Sequence, residues 1–224
     1  MQIFTALLIL AFLGAVVSFA LMGLTQSHRS RTLCRRASRL GLRFDADDPF
    51  SIASRYGQFA LISGGHSCSA SNVLHGRLDG RGVKVFDLRF ELGHGTCRTA
   101  RSYRVAILDN DAPLADLLMW HESDMALAPL PARQGVGKAL RWFYTGGDEL
   151  AQCIAAQGQE LDARRGSLQV IGNSVLFAVP ADNRHDDIAS MLPQLVIMVA
   201  ALAGRLAPQV GSDEHQGVAF PSGA

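Results

Sequence analysis

The stretch "NVLHGRLDGRGVKVFDLRFEL" (72–92) decides how the rest of the chain is read. At its centre "DGRG" (79–82) holds an Asp-Gly dipeptide, which accepts positive φ at both corners of a tight hairpin. On its C-terminal side Val83 and Val85 alternate with Lys84, and Leu88 alternates with Asp87 and Arg89. Two antiparallel strands are therefore expected. The slip in alternation between Val85 and Leu88 is expected to mark a bulge near Phe86–Asp87. "GHGTC" (93–97) sits where the next reversal is needed, and "RTARSYRVAIL" (98–108) returns as a third strand. These elements make an antiparallel meander, with "LADLLMW" (114–120) expected to add a strand at its margin.

Farther on, residues 121–138 are rich in Pro, Gly and Ala and read as a linking loop. A strand is expected at 141–145, followed by a break at Gly146–Gly147 and a helix capped by Asp148, with Leu150, Cys153, Ile154 and Leu161 on its apolar face. "SLQVIGNSVLFAV" (167–179) reads as a hairpin turning at Gly172–Asn173. A last helix, about 186–206 and capped by Asp182 or Asn183, contains the apolar "MLPQLVIMVAALAG" (191–204). At about fourteen residues, with Pro193 and Gln194 inside it, this run reads as a buried core helix and not as a second membrane span. The tail 207–224 has no periodicity and reads as disordered.

Upstream of the hairpin, "IFTALLILAFLGAVVSFALMGL" (3–24) carries no charge and no proline. Its 22 residues at 1.5 Å rise cover about 33 Å, enough for a hydrocarbon core of about 30 Å. A cleaved signal peptide is the first alternative, and "SFA" (18–20) offers the small residues of a cleavage site. It lacks a basic start, however, and the apolar run exceeds the roughly 7–15 residues of an ordinary signal. A buried core helix is the second, and it conflicts with the length and the missing polar stripe. The expectation is an uncleaved, single-pass transmembrane anchor over 1–26.

Six arginines follow within fifteen residues: Arg29, Arg31, Arg35, Arg36, Arg39 and Arg43. The first acidic residue of the chain is Asp45. Under the positive-inside rule this flank places the C-terminal domain in the cytoplasm, at the inner membrane, with the arginines against anionic lipid headgroups. Leu33, Ala37 and Leu40 recur at helical spacing, so 27–43 is expected to form a basic amphipathic helix along the membrane. Nucleic-acid binding is the rival use of these arginines, and their topogenic role leaves it without work to do. Over the whole chain 21 basic residues meet 20 acidic ones, a net charge of +1, so the total says nothing about partners and only the uneven distribution does.

The candidates for chemistry lie in two loops. "GHSC" (65–68) and "GHGTC" (93–97) each pair a histidine with a cysteine, so His66, Cys68, His94 and Cys97 are the candidate metal ligands. Zinc takes four N or S ligands in a tetrahedron, and two turns at one end of a meander can supply two each. Neither spacing has the specificity of paired CxxC knuckles, and glycines in turns account for both stretches without a metal. "GGHSCSAS" (64–71) also sets Cys68 beside His66, but it misses the G-x-S-x-G elbow and shows no third group to orient a base. No catalytic residue and no cofactor is assigned. The four cysteines, Cys34, Cys68, Cys97 and Cys153, are too sparse for a disulfide scaffold and read as thiols, with a Cys68–Cys97 bridge as the alternative.

Three stretches carry a resemblance: Arg36, Ala37, Leu40, Gly41 and Leu42; then Asn72, Leu74, Gly76, Arg77, Asp79, Gly80, Val83, Phe86 and Asp87; then Gly147, Asp148 and Glu149. In their order the chain resembles a group of bacterial single-pass, membrane-anchored proteins for which no activity is established. The resemblance implies a similar fold and a cytoplasmic domain over 44–206, and no reaction. The fold class expected is α+β: an N-terminal transmembrane helix, an antiparallel meander, and a C-terminal strand–helix–hairpin–helix half. The function expected is binding or scaffolding of an unknown protein partner at the inner membrane, with the bilayer contacted through 3–24. A metal- or thiol-dependent enzyme using the 64–71 and 93–97 loops, or an accessory subunit of a membrane complex, are the alternatives.

Overall fold

The computed structural model describes residues 2–121, 133–134, 142–146, 165–181 and most of 192–199, with the backbone alone in parts of the first helix and in the strands at 133–134 and 142–146. The expected helix after Gly147, its apolar face, the last-helix caps Asp182 and Asn183, and the tail 207–224 lie outside the described residues. The chain opens on α1 (Gln2–Arg39), followed by β1 (Arg43–Asp45), α2 (Ile52–Arg55) and α3 (Ala60–Ser63). Then come β2 (His66–Leu78), β3 (Arg81–Leu92), a 3-10 turn (Gly95–Cys97) and β4 (Thr99–Asp109). After these run β5 (Leu117–His121), β6 (Arg133–Gln134), β7 (Trp142–Gly146), β8 (Ser167–Ile171) and β9 (Ser174–Pro180). Among the described residues nine strands join one sheet in the order β1-β2-β3-β4-β9-β8-β5-β7-β6, and their pairings are antiparallel.

The hairpin at the centre of the sequence forms as expected. Asp79 and Gly80 take φ of 49° and 80°, and Leu78 pairs with Arg81 across them. Positive φ at both corners is the type I′ geometry, whose twist matches that of the flanking strands. The bulge is on the other strand. β3 pairs with β4 without interruption from Val83 to Leu92, so the extra residue opposite Phe86 is not carried by β3. The register of β2 shifts instead between Ser71 and Leu74, where Asn72 and Val73 stand opposite Phe86, and again between His66 and Ser69. Asn72 and Ser67 both have φ of 53°, and the Asn72 amide donates to the Asp87 carboxylate at 2.8 Å.

The irregular alternation in β3 comes from burial on both faces. Val83 and Val85 enter one core cluster, while Phe86, Leu88 and Phe90 enter the other. Side chains two apart share a face, so this is strict alternation with apolar residues on both sides. β4 and β9 behave alike: Ala106 and Leu108 face one cluster and Tyr103, Val105 and Ile107 the other, as Val175, Phe177 and Val179 oppose Leu176 and Ala178. A sheet covered on both faces yields runs without a polar partner position.

Helices do the covering. The first face lies under the end of α1 and the described residues of 192–199, which are helical and bury Leu192, Leu195, Val196 and Val199. The second lies under α2 and α3, through Ile52, Tyr56, Phe59, Leu61 and Ile62. The start of α2 has no hydrogen bond from its N-cap residue Ser51; the Asp48 carboxylate accepts from the Phe50 and Ile52 amides at 2.9 and 2.6 Å. At the start of α3 the buried Gln169 of β8 does the same service, accepting from the Ala60 amide at 2.7 Å. β5 is not at the margin of the meander. It lies between β8 and β7, on the far side of the β8–β9 hairpin.

The N-terminal expectation is corrected. Among the described residues no helix is long and apolar enough to cross a membrane, which overturns the transmembrane anchor and the single-pass topology built on it. α1 also continues unbroken past residue 26 to Arg39, and its last turns join the domain. Leu33, Ala37 and Leu40, expected to lie along lipid, pack on the sheet, with Ala37 buried.

On the second face Lys84 is held between rings and carboxylate. Its Nζ lies 3.3 Å from Asp109, 5.5 Å from the Tyr56 ring centroid and 5.9 Å from that of Phe50, with His75 opposite it in register. Burial alone lowers its pKa, but a hydrogen bond with Tyr56 and the charge of Asp109 outweigh it, and the net shift is upward from 10.5. A raised lysine pKa stabilises the fold below the unfolded value, and that contribution disappears as pH rises through the folded one. Urea midpoints of wild type and Lys84→Met measured from pH 7 to pH 11.5 are therefore expected to converge above about pH 10.5. At pH 7 the variant is expected to lose about 1 kcal/mol or less, because Asp109 is 40% exposed and solvent screens the pair. A constant difference across the range would remove Lys84 as the titrating contact.

Candidate functional site

The two candidate loops do meet at one end of the sheet, because β2 begins where the β3–β4 reversal sits. His66 is the cross-strand partner of Glu91, two residues before the turn that carries His94. The imidazole Nε2 atoms of His66 and His94 stand 3.3 Å apart, with ring centroids at 4.5 Å and planes inclined by 44°. Both histidines are exposed.

The backbone carrying them is fixed by close approach. A Cβ on Gly65 would lie 2.3 Å from Cδ2 of Phe90, so the chain before His66 rests directly on that ring. Gly93 has φ of 79°, and a Cβ there would meet the Cys97 carbonyl oxygen at 2.5 Å. Only glycine fits that corner, both for its left-handed backbone and for the space. His94 follows in extended conformation at φ −132°, ψ 153°, and the 3-10 turn starts at once.

The cysteines do not join the histidines. Cys68 packs against the second core cluster, and burial pushes its thiol pKa up, the opposite of what a nucleophile or thiolate ligand needs. The bulge at Ser67 is the cause: one extra residue between His66 and Ser69 changes the side on which the next side chain emerges. Cys97 is exposed in the 3-10 turn, and Cys34, Cys68 and Cys97 are all free thiols, so the Cys68–Cys97 bridge is not formed. Among the described residues no group of three or more His, Cys, Asp or Glu side chains gathers as a metal cage. The four-ligand set reduces to a pair, His66 and His94. Glu91, the nearest acid by register, is ion-paired with Arg98 at 3.2 Å.

The arginine cluster is the second candidate. Arg31, Arg35, Arg39 and Arg43 are exposed at the end of α1 and the start of β1, Arg36 is partly buried, and Arg29 lies where only the backbone is described. They share one end of the helix whose Leu33, Ala37 and Leu40 are turned to the sheet, so the charges occupy the outer surface of that seam. The same helix exposes Phe4, Leu10 and Phe12, at 79%, 69% and 68%.

A further polar group fixes the β2 bulge: Asp87 accepts from Asn72 and from Arg104 at 2.8 and 3.3 Å. Asn at a position of positive φ was the available signal, since Asn enters that region more readily than most residues.

No family model matches the chain, and no curated protein matches it. Among solved structures, the fold is similar to that of the mycobacterial trehalose monomycolate transport factor A, TtfA, with a TM-score of 0.54 and 13% sequence identity over 78% of this chain and 93% of that one.

Proposed function

We propose that the chain is an accessory factor that works at a membrane surface and holds a protein partner there, without catalysing a reaction itself. The observation that carries this reading is the fold shared over 78% of the chain with a mycobacterial transport factor. Fold alone does not transfer an activity, so the place of work has to come from this chain's own surface. α1 supports it. Exposed Phe4, Leu10 and Phe12 followed by exposed Arg31, Arg35 and Arg39 make a helix with an apolar part and a basic part, the composition of a segment lying in a lipid–water interface. Anionic headgroups are the matching chemistry, and they are richest on a cytoplasmic leaflet. The enzyme alternative is favoured by one observation only, the meeting of His66 and His94.

Flotation of the full chain with phosphatidylcholine vesicles, with and without phosphatidylglycerol, tests the reading. Each arginine near an anionic surface contributes about 1 kcal/mol, so three are worth about a hundredfold in partition. Wild type is expected to prefer the anionic vesicles by that factor, and Arg31→Gln/Arg35→Gln/Arg39→Gln to lose the preference. Salt at about 0.5 M should abolish it as well, since screening acts on exposed charges. Equal partition of wild type onto both vesicles would refute the role of the cluster.

A further inference from the structure

We propose that His66 and His94 form a two-imidazole binding site for a divalent first-row transition metal, with zinc as the ion that fits its spacing. Zinc–nitrogen bonds of about 2.0–2.1 Å at a tetrahedral angle put two ligand nitrogens about 3.3–3.4 Å apart. The two Nε2 atoms are 3.3 Å apart. A shared proton is the competing account, and the geometry suits it less well. The separation lies beyond the 2.7–3.2 Å usual for a hydrogen bond donated by nitrogen.

Preorganisation is the second, independent support. Gly65 lies against the Phe90 ring and Gly93 against the Cys97 carbonyl, so neither backbone segment can move away without opening these contacts. Phe90 is itself fully buried and stacked on Tyr103, with centroids 5.6 Å apart and planes within 2°. The imidazoles therefore sit on rigid supports, which reduces the ordering cost of bringing two ligands to one ion. Imidazole nitrogen selects zinc, copper or nickel over magnesium or calcium, which take oxygen. Two protein ligands leave the remaining positions to water, as in an exchangeable site and unlike a closed structural one. Bound metal would clip the start of β2 to the β3–β4 turn.

The test is zinc titration of the full chain against a chromophoric competitor, with magnesium as control, for wild type, His66→Gln, His94→Gln and Cys97→Ser. Both histidines are exposed, so neither variant disturbs the core. The expected result is one zinc per chain, with affinity reduced at least 10–100-fold in each histidine variant, no less than the loss on removing a supporting group around a metal ligand. Cys97→Ser is expected to bind as wild type does. Zinc should also raise the melting temperature of wild type and of Cys97→Ser but not of the histidine variants, since a ligand that binds only the folded state stabilises it. The proposal is overturned if wild type takes up no zinc, or if either histidine variant binds within about threefold of wild type. A loss in Cys97→Ser equal to that in His94→Gln would overturn it too, because the ligand set would then include sulfur. Failure here leaves the membrane-surface reading untouched, since the vesicle assay contains no metal.

Discussion

Phe90→Ala is expected to lower the stability of the domain by about 3–5 kcal/mol, the range for removing a fully buried aromatic ring. For a chain of this size each kcal/mol shifts the melting temperature by about 2–4 °C, so the midpoint should fall by roughly 6–20 °C. The estimate belongs at the upper end of core substitutions because the ring is enclosed from three directions. Phe90 is 0% exposed, it stacks on Tyr103, and the backbone at Gly65 lies on it so closely that a Cβ would be 2.3 Å from Cδ2. Little of that enclosure can collapse into the hole, since β2 and β3 are tied by their register on both sides of the site. A double-mutant cycle makes the test specific. Gly65→Ala alone should destabilise, because its new methyl meets the ring and, at 2.9 Å, the Glu91 carbonyl oxygen, of which only the first contact is relieved by removing the ring. In the Phe90→Ala background the same methyl enters the cavity, and the two changes together should cost at least 1 kcal/mol less than their sum. Urea unfolding followed by circular dichroism reads all four states. Additive losses would mean that Gly65 and Phe90 do not touch. The cycle also bears on the histidine pair, because a loosened Gly65 releases His66 from its fixed place.

Much of this architecture is written locally in the chain. Asp79–Gly80 and Gly172–Asn173 form their hairpins where the dipeptides stand, because tight-turn chemistry is decided within four residues. The meander β2–β3–β4 and the reversal at 93–97 follow from those turns. What escaped local reading depends on contacts from elsewhere. The bulge was expected in β3 because Val85, Phe86 and Leu88 break alternation for a sheet with one wet face, and only α2 and α3 on the second face explain the pattern. β5 was expected beside the meander because it follows it in sequence, whereas it pairs with β7 and β8, which come later. The histidine–cysteine quartet failed for a similar reason: the register shift at Ser67 separates Cys68 from His66, and no spacing rule contains it. The hydropathy of 3–24 taken by itself points to a span, but it contains no sign of a helix that runs on into the sheet through Leu33 and Ala37.

Leu195→Asp is expected to unfold the domain or bring it close to unfolding, while Ile197→Asp, two residues away, should change its stability by no more than about 0.5 kcal/mol. The contrast follows from which side of the helical segment each residue occupies. Leu192, Leu195, Val196 and Val199 are 0–2% exposed on the first face of the sheet, and they recur at i, i+3, i+4 and i+7. Ile197 is 65% exposed. A carboxylate at 195 would be placed in the first core cluster, whose members are all apolar. An ionised group buried without a partner costs several kcal/mol even after its pKa has shifted to neutralise it. Against a total stability of about 5–15 kcal/mol that is enough to populate the unfolded chain. Thermal melts of the two variants, with limited proteolysis of each, distinguish the sides of the segment. The pair also decides between two environments for an apolar run of this kind. A helix surrounded by lipid is apolar all round, so both substitutions would be costly there; a helix covering one face of a sheet resents the charge on that face only. Equal damage from the two variants would therefore detach 192–199 from the sheet and leave the end of α1 as the described cover of the first face.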